Sequence, residues 1–146
     1  MVTLVDKTLK KDRNALSLTQ REALAAVLVA ATASDGVIDQ KELYRLVGSL
    51  VEKSMFRTSG DLGTVLKRAS EHVQRHGATA VIDVAVKAIE ESLRPTAYAL
   101  AADLVLANSM VESKERSFLD ELQRKLGIDD ATALKIVEVV AIKNRG

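Results

Sequence analysis

Three carboxylates stand close together in a short acidic stretch of the sequence. It reads Asp35-Gly-Val-Ile-Asp39-Gln-Lys-Glu42 and lies between two apolar segments. Carboxylate oxygens are the ligands that hard cations such as Ca²⁺ and Mg²⁺ prefer. Asp35, Asp39 and Glu42 are therefore a candidate divalent-cation site. It is not an EF-hand, because the sixth position counted from Asp35 is Gln40, where that loop requires glycine.

The same residues also fit the start of a helix. Asp39 followed three residues later by Glu42 is an acidic capping box, in which each side chain accepts a hydrogen bond from the backbone N–H group of the other residue. Asp35 would then brace the preceding turn, where Gly36 can adopt a positive φ. From the sequence alone, cation binding and simple helix capping both remain open.

A weaker copy of this turn lies in the second half of the chain. Asp39 aligns with Glu112 at a shift of 73 residues (112 − 39 = 73), which places Asn108-Ser-Met-Val-Glu-Ser-Lys-Glu115 on the acidic stretch. Asn108, Glu112 and Glu115 offer three further oxygen ligands. In both copies an alanine-rich apolar helix precedes the turn and a leucine-bearing helix follows it. The sequence thus predicts a duplicated helical hairpin.

Asp103 is one more candidate ligand. It interrupts the apolar run Ala99-Leu-Ala-Ala-Asp-Leu-Val-Leu106, and a carboxylate in such a run is costly to bury unless it is paired or bound. We expect Asp103 either to face the first acidic turn as a ligand or to meet solvent or a basic side chain.

Enzyme chemistry finds little support. His72 and His76, at i and i+4, can share one helix face and hold zinc, but the chain has no His-Glu-x-x-His motif and no cysteine. A solvated histidine pair near a helix end explains this spacing more simply. No Ser or Thr has an assignable histidine base, and no glycine loop matches a phosphate cradle. We predict a protein that is not an enzyme.

Helices are expected to position all these residues. Thr19-Gln-Arg-Glu22 is a capping box, and apolar residues then recur with the helical period along the chain. About seven helices are predicted, with the capped second helix beginning after Asp39. The others are expected at 19–33, 61–77, 78–93, 95–107 and 113–127, with a last helix capped by Asp129 or Asp130.

These helices predict one all-α domain. Two hairpins related by an approximate two-fold should form its centre, with the third, fourth and last helices around them. Leu28 and Leu100, one on each apolar helix, are expected to be buried against the opposite hairpin. Residues 1–18 are expected to form a loosely ordered arm that precedes the domain at 19–146.

Composition limits the possible partners and location. Lys and Arg number 21 against 20 Asp and Glu, which gives no basic face for nucleic acid. No apolar run approaches the roughly 18 residues of a membrane span, and no signal-peptide core is visible near the N-terminus. We expect a cytoplasmic protein that neither binds nucleic acid nor inserts into a membrane.

The duplicated turn resembles the tellurite-resistance TerB family. The residues that carry the resemblance are Ser34-Asp-Gly-Val-Ile-Asp-Gln-Lys-Glu42 and Glu115-Arg-Ser-Phe-Leu119, within segments 24–50 and 98–126. The resemblance covers 19–143. It implies an all-helical cytoplasmic protein linked to tellurite and other stress responses, with divalent-cation binding at the acidic turns. Asn108-Ser109 replaces the Asp-Gly of the family pattern, so two equivalent ion sites are not implied.

Two functions are therefore predicted. The first is a non-enzymatic TerB-like protein associated with tellurite resistance or stress response, which binds Ca²⁺ or Mg²⁺ at its acidic turns. The second is a helical module that dimerises or binds a protein partner, with acidic turns that act only as caps. Both imply a protein partner or a second copy of the chain.

Overall fold

The computed structural model describes residues 16–57, 62–107 and 113–145, and over this part of the chain it is all-helical. Seven helices have between 11 and 15 residues, which confirms the predicted all-α fold of about seven helices. The elements are α1 (Gln20–Thr32), α2 (Gln40–Leu50), α3 (Ser54–Arg57), α4 (Leu62–His76), α5 (Ala78–Ala88), a 3-10 turn (Glu91–Leu93), α6 (Arg94–Val105), α7 (Ser113–Leu126) and α8 (Asp130–Lys143).

Helix α1 is the centre of the fold. Every residue from 23 to 30 is buried, so the helix has no solvent-facing side over two turns. An α-helix that is apolar all round is expected to be buried all round. Helices α4, α5 and α6 surround α1 and supply the contacts, and its alanines allow close packing.

The start of α1 is capped as predicted. Thr19 Oγ1 accepts a hydrogen bond from the Glu22 N–H at 3.2 Å, and Glu22 Oε1 accepts one from the Thr19 N–H at 3.0 Å. The second predicted cap, Asp39, also precedes its helix. The last helix is capped by Asp129, whose carboxylate accepts from the Thr132 N–H at 2.7 Å. Short-range capping patterns thus located three helix starts correctly.

Helix α5 is shorter than predicted. It ends at Ala88, and Ile89 is extended, whereas the apolar period had suggested a helix to Leu93. The Arg94 guanidinium, from the start of α6, donates to the carbonyl oxygens of Val86 and Ile89 at 3.3 and 3.2 Å. The next backbone N–H, that of Glu90, donates to a side-chain oxygen of α1. Side chains from α1 and from the start of α6 therefore replace the helical hydrogen bonds here.

The helices of the two predicted hairpins follow each other in the chain as α1 and α2 and as α6 and α7, and α1 packs against α6. Their relation by a two-fold stays a prediction, because Asn108 and Glu112 lie outside the described residues. Leu28 is fully buried, but Leu100 is only half-buried, so the expectation for Leu100 is corrected. Helix α6 instead buries mainly smaller side chains, together with Tyr98.

Leu16 and Leu18 also pack against the core. The first fifteen residues of the predicted arm lie outside the part of the chain that the structure describes. Within that part, no helix combines the length and apolarity needed to cross a bilayer.

Candidate functional site

The three carboxylates of the acidic turn are all held by backbone N–H groups. Asp39 Oδ1 accepts from the Glu42 N–H at 2.8 Å, and Glu42 Oε1 accepts from the Asp39 N–H at 3.4 Å. Asp35 Oδ1 accepts from the Val37 N–H at 2.9 Å and closes the turn. The capping role that the sequence predicted is therefore present in full.

The turn is also clamped onto α4. The Gly36 carbonyl oxygen accepts hydrogen bonds from the Ser70 hydroxyl and from Gln74 Nε2, the latter at 3.2 Å. Gly36 has φ +79°, and a Cβ atom placed there would lie 2.8 Å from the Ser70 carbonyl oxygen. Only glycine combines this φ with so close an approach. Sequence reasoning missed Ser70 and Gln74, whose single signal is their polar i, i+4 spacing on α4.

The pKa values of the two capping carboxyl groups shift in opposite directions. The hydrogen bond from the Glu42 N–H is the main cause that lowers the pKa of Asp39. Burial is the main cause that raises the pKa of Glu42, and the neighbouring Asp39 and Asp35 carboxylates raise it further. The neighbouring carboxylates therefore add to the effect of burial and disfavour the ionised form of Glu42.

Asp39, Glu42 and Glu115 line one cleft of about 290 Å³. The second acidic turn therefore contributes a side chain to the same cleft as the first. Lys41 and Arg45 also line this cleft and offset much of its negative charge. Among the described residues, no group of three or more acidic, histidine or cysteine side chains is arranged to hold a metal ion. Asn108 and Glu112, the remaining predicted ligands, lie outside those residues.

Asp103 meets a basic side chain, which is one of the two outcomes expected for it. Asp103 Oδ1 accepts from Lys143 Nζ at 3.0 Å and from Asn144 Nδ2 at 3.1 Å, both at the end of α8. It lines a second cleft, of about 430 Å³, between α2, α6 and α8. Leu100 lines the same cleft, which explains why this leucine is only half-buried.

The two histidines are neighbours on α4. Their ring centroids are 6.3 Å apart, with an angle of 31° between the ring planes. Burial is the main cause that lowers the pKa of His72, and the second ring lowers it further. Both effects favour a neutral His72 at pH 7. The two side chains therefore share one face of α4, as their i, i+4 spacing predicted.

Sequence reasoning missed an exposed apolar strip on α2. Leu43, Val47 and Val51 follow each other at intervals of four residues, and Tyr44 lies beside them. Leu43, Tyr44 and Val51 are exposed, Tyr44 by 73%, while Val47 is half-buried. We call these four residues the α2 stripe. The sequence indicated an amphipathic helix but not which of its apolar residues would face the core.

A second group of exposed apolar residues lies on α8. Leu134, Val139 and Ile142 are exposed by 59%, 63% and 61%. On the other side of this helix Ala133 and Val140 are buried, while Ile136 and Val137 are half-buried.

Comparison with protein-family models, with curated proteins and with solved structures gave no match. The resemblance to TerB proteins stays a prediction. Function must therefore be inferred from the surfaces and side chains of the chain itself.

Proposed function

We propose that the protein is a non-enzymatic, cytoplasmic, TerB-like helical module that binds a protein partner through the α2 stripe. Its association with tellurite resistance or another stress response is part of this proposal and rests on the sequence resemblance alone. The observation that carries partner binding is the contiguous exposure of Leu43, Tyr44 and Val51 beside half-buried Val47.

The composition of the α2 stripe supports this role. Large exposed apolar groups that lie together mark interaction surfaces more often than scattered ones do. Tyrosine is enriched at the centres of protein interfaces, because it combines a large apolar ring with a hydroxyl group. Tyr44 is the aromatic residue of the α2 stripe, and it lies exposed in the first turns of α2.

The clamp on the acidic turn also supports it. Gly36 is fixed to α4 by two side chains, and the capping box fixes the start of α2. Leu46 and Leu50, on the adjoining side of the helix, are buried in the core and anchor it there. A surface held in this way loses little conformational entropy when a partner binds. A partner helix that lays its own apolar face along α2 would suit the four-residue spacing.

The proposal is tested by capture from the native host with purified protein as bait. Wild type should retain a specific protein that is lost when Tyr44→Glu and Val51→Glu are combined. Arg75→Glu, an exposed change on α4, is the matched control and should retain it. All three baits should have similar melting temperatures. Equal recovery on all baits, or no specific protein at all, would contradict partner binding by the α2 stripe.

A second candidate function is divalent-cation binding, which we propose on a separate observation. Asp39, Glu42 and Glu115 come from different halves of the chain yet line one cleft. Ca²⁺ or Mg²⁺ would replace the mutual repulsion of these carboxylates with attraction. Asp35, Asn108 and Glu112 are the remaining candidate ligands of this site. Asp103 is not, because it is paired with Lys143.

Thermal melting tests the cation proposal. An ion that binds only the native state must raise Tm. Wild type should melt higher in millimolar Ca²⁺ or Mg²⁺ than in chelator, and Glu115→Gln should reduce that gain. Mn²⁺ and Zn²⁺ serve as further probes. If Tm is the same in chelator and with all four metals, the acidic turns act only as caps.

A further inference from the structure

Helix α8 presents apolar side chains on both of its sides. Ala133 and Val140 are buried on the side that packs against α6. Leu134, Val139 and Ile142 are exposed on the other side. Large apolar side chains on the outer side of a helix, in addition to those on its core side, favour a further neighbour on that outer side. Among the described residues, the exposed large apolar side chains outside α8 are confined to α2 and its two flanking positions, Val37 and Val51.

The charges on α8 show what kind of neighbour fits. Asp129 and Asp130 lie at its start, and the basic residues Arg145 and Lys143, the latter paired with Asp103, lie at its end. A second α8 lying antiparallel would place the acidic start of each helix beside the basic end of the other. The opposed helix dipoles of such a pair also attract each other. A parallel second copy would instead place like charges side by side.

The charged residues in the middle of α8 also favour an antiparallel pair. Lys135 and Glu138 are exposed and one turn apart. In an antiparallel pair centred between them, Lys135 of each copy lies beside Glu138 of the other. The same register brings exposed Ala131 of one copy against Ile142 of the other. Charged and apolar positions are thus self-complementary in one register.

We propose that two copies of this chain associate through the exposed side of α8, as an antiparallel helix pair about a two-fold axis. Such an interface is isologous: when residue i of one copy contacts residue j of the other, j contacts i in return. The mixture of Lys135 and Glu138 on this side disfavours a membrane surface or nucleic acid, which both call for an excess of basic side chains. The proposal goes beyond the α2 stripe and does not depend on it.

The size of the surface sets the strength of association. Helix α8 has 14 residues and is therefore about 21 Å long. One helix pair of this length buries less than the roughly 1,200 Å² of a standard stable interface. We expect a reversible dimer with a dissociation constant on the order of micromolar.

Sedimentation velocity of the full chain across the micromolar range tests the proposal. Wild type should shift from monomer to dimer as concentration rises. Combining Leu134→Glu with Ile142→Glu should leave a monomer at all these concentrations, with helical circular dichroism unchanged. Tyr44→Glu, on the α2 stripe, is the matched control and should dimerise like wild type. A wild-type chain that stays monomeric, or a dimer that survives the Leu134 and Ile142 changes, would overturn the proposal.

Charge exchange tests the antiparallel register itself. Lys135→Glu alone and Glu138→Lys alone should each weaken the dimer at least tenfold, because like charges then face each other twice. An equimolar mixture of these two variants should form a mixed dimer, since every Glu then faces a Lys. The chain that carries both changes should dimerise like wild type. If neither the mixture nor the double variant recovers, the register is wrong and the proposal fails. Loss of dimer in the Tyr44→Glu control would assign self-association to the α2 stripe instead.

Discussion

Helices α1 and α8 both carry large apolar side chains on more than one side, yet these side chains occupy opposite environments. Residues 23–30 of α1 are all buried, whereas three large apolar side chains of α8 are more than half exposed. The difference lies in their neighbours. Three long helices surround α1, while α8 packs chiefly against α6 on one side. Burial stabilises the apolar side chains of both helices, but the fold of the chain provides neighbours on all sides only for α1.

The largest predicted effect contrasts two leucines. Leu28→Ala should cost about 2–5 kcal/mol of unfolding free energy, because it leaves a cavity in a fully buried site. Leu134→Ala should change it by less than about 0.5 kcal/mol in the monomer, because that side chain is already exposed. Urea unfolding at low protein concentration measures both. Similar costs for the two changes would mean that α8 is buried as fully as α1.

The next effect concerns the turn after α1. Gly36→Ala should cost about 1–3 kcal/mol, since φ is +79° and the new Cβ atom would clash with the α4 backbone. Gly48→Ala is the matched control. Gly48 is helical with open space around its Cβ position, so the change should stabilise by about 0.5–1 kcal/mol. Denaturant midpoints of the two variants should move in opposite directions. A neutral Gly36→Ala would show that the clamp on α4 is dispensable.

The next prediction compares removal of the helix cap of α1 with removal of the helix cap of α8. Thr19→Ala removes the α1 cap and should cost about 1 kcal/mol of global stability, because the core unfolds with α1. Asp129→Ala removes the α8 cap, and its main effect should be faster amide exchange in the first turn of α8. Exchange measured by NMR separates the two outcomes. Slower amide exchange at Thr132 in Asp129→Ala than at Glu22 in Thr19→Ala would contradict this prediction.

The smallest effect is a dependence on pH. The hydrogen bond from Thr19 lowers the pKa of Glu22, so its stabilisation is present above the unfolded value of 4.5 and is lost as pH falls through the lower folded value. Burial beside Asp39 raises the pKa of Glu42. Its stabilisation is therefore present below 4.5 and is lost as pH rises through the higher folded value. Carboxyl NMR titration should place Glu22 below 4.5 and Glu42 above it. The reverse order would show that the two capping boxes differ from this description.

Local patterns predicted the helix starts and most helix lengths. The Thr19 and Asp39 boxes involve residues three apart, so the sequence alone carries the information. The end of α5 was misplaced because Arg94 of α6 and Gln20 of α1 take up its free backbone groups. Gln20 is 70 residues from Glu90, and Arg94 is five and eight residues from the carbonyl groups that it binds, so neither contact belongs to a helical capping pattern.

The candidate site was predicted only in part, because some of its contacts are local in sequence and others depend on how helices pack. The capping bonds of Asp39 and Glu42 followed from their spacing, but the cleft that Glu115 shares with them was not predicted from the repeat. The pairing of Asp103 with Lys143 depends on how α8 lies over α6, which the sequence does not specify. The exposure of Leu43 and Tyr44 likewise depends on how α2 is set against the core.

The burial of α1 has a consequence for synthesis. This helix leaves the ribosome before α4, α5 and α6, the three helices that cover it. At ordinary elongation rates of about 5–20 residues per second, its apolar surface waits for several seconds before those helices exist. The apolar side chains of α1 therefore lack their native neighbours until α4, α5 and α6 have been synthesised.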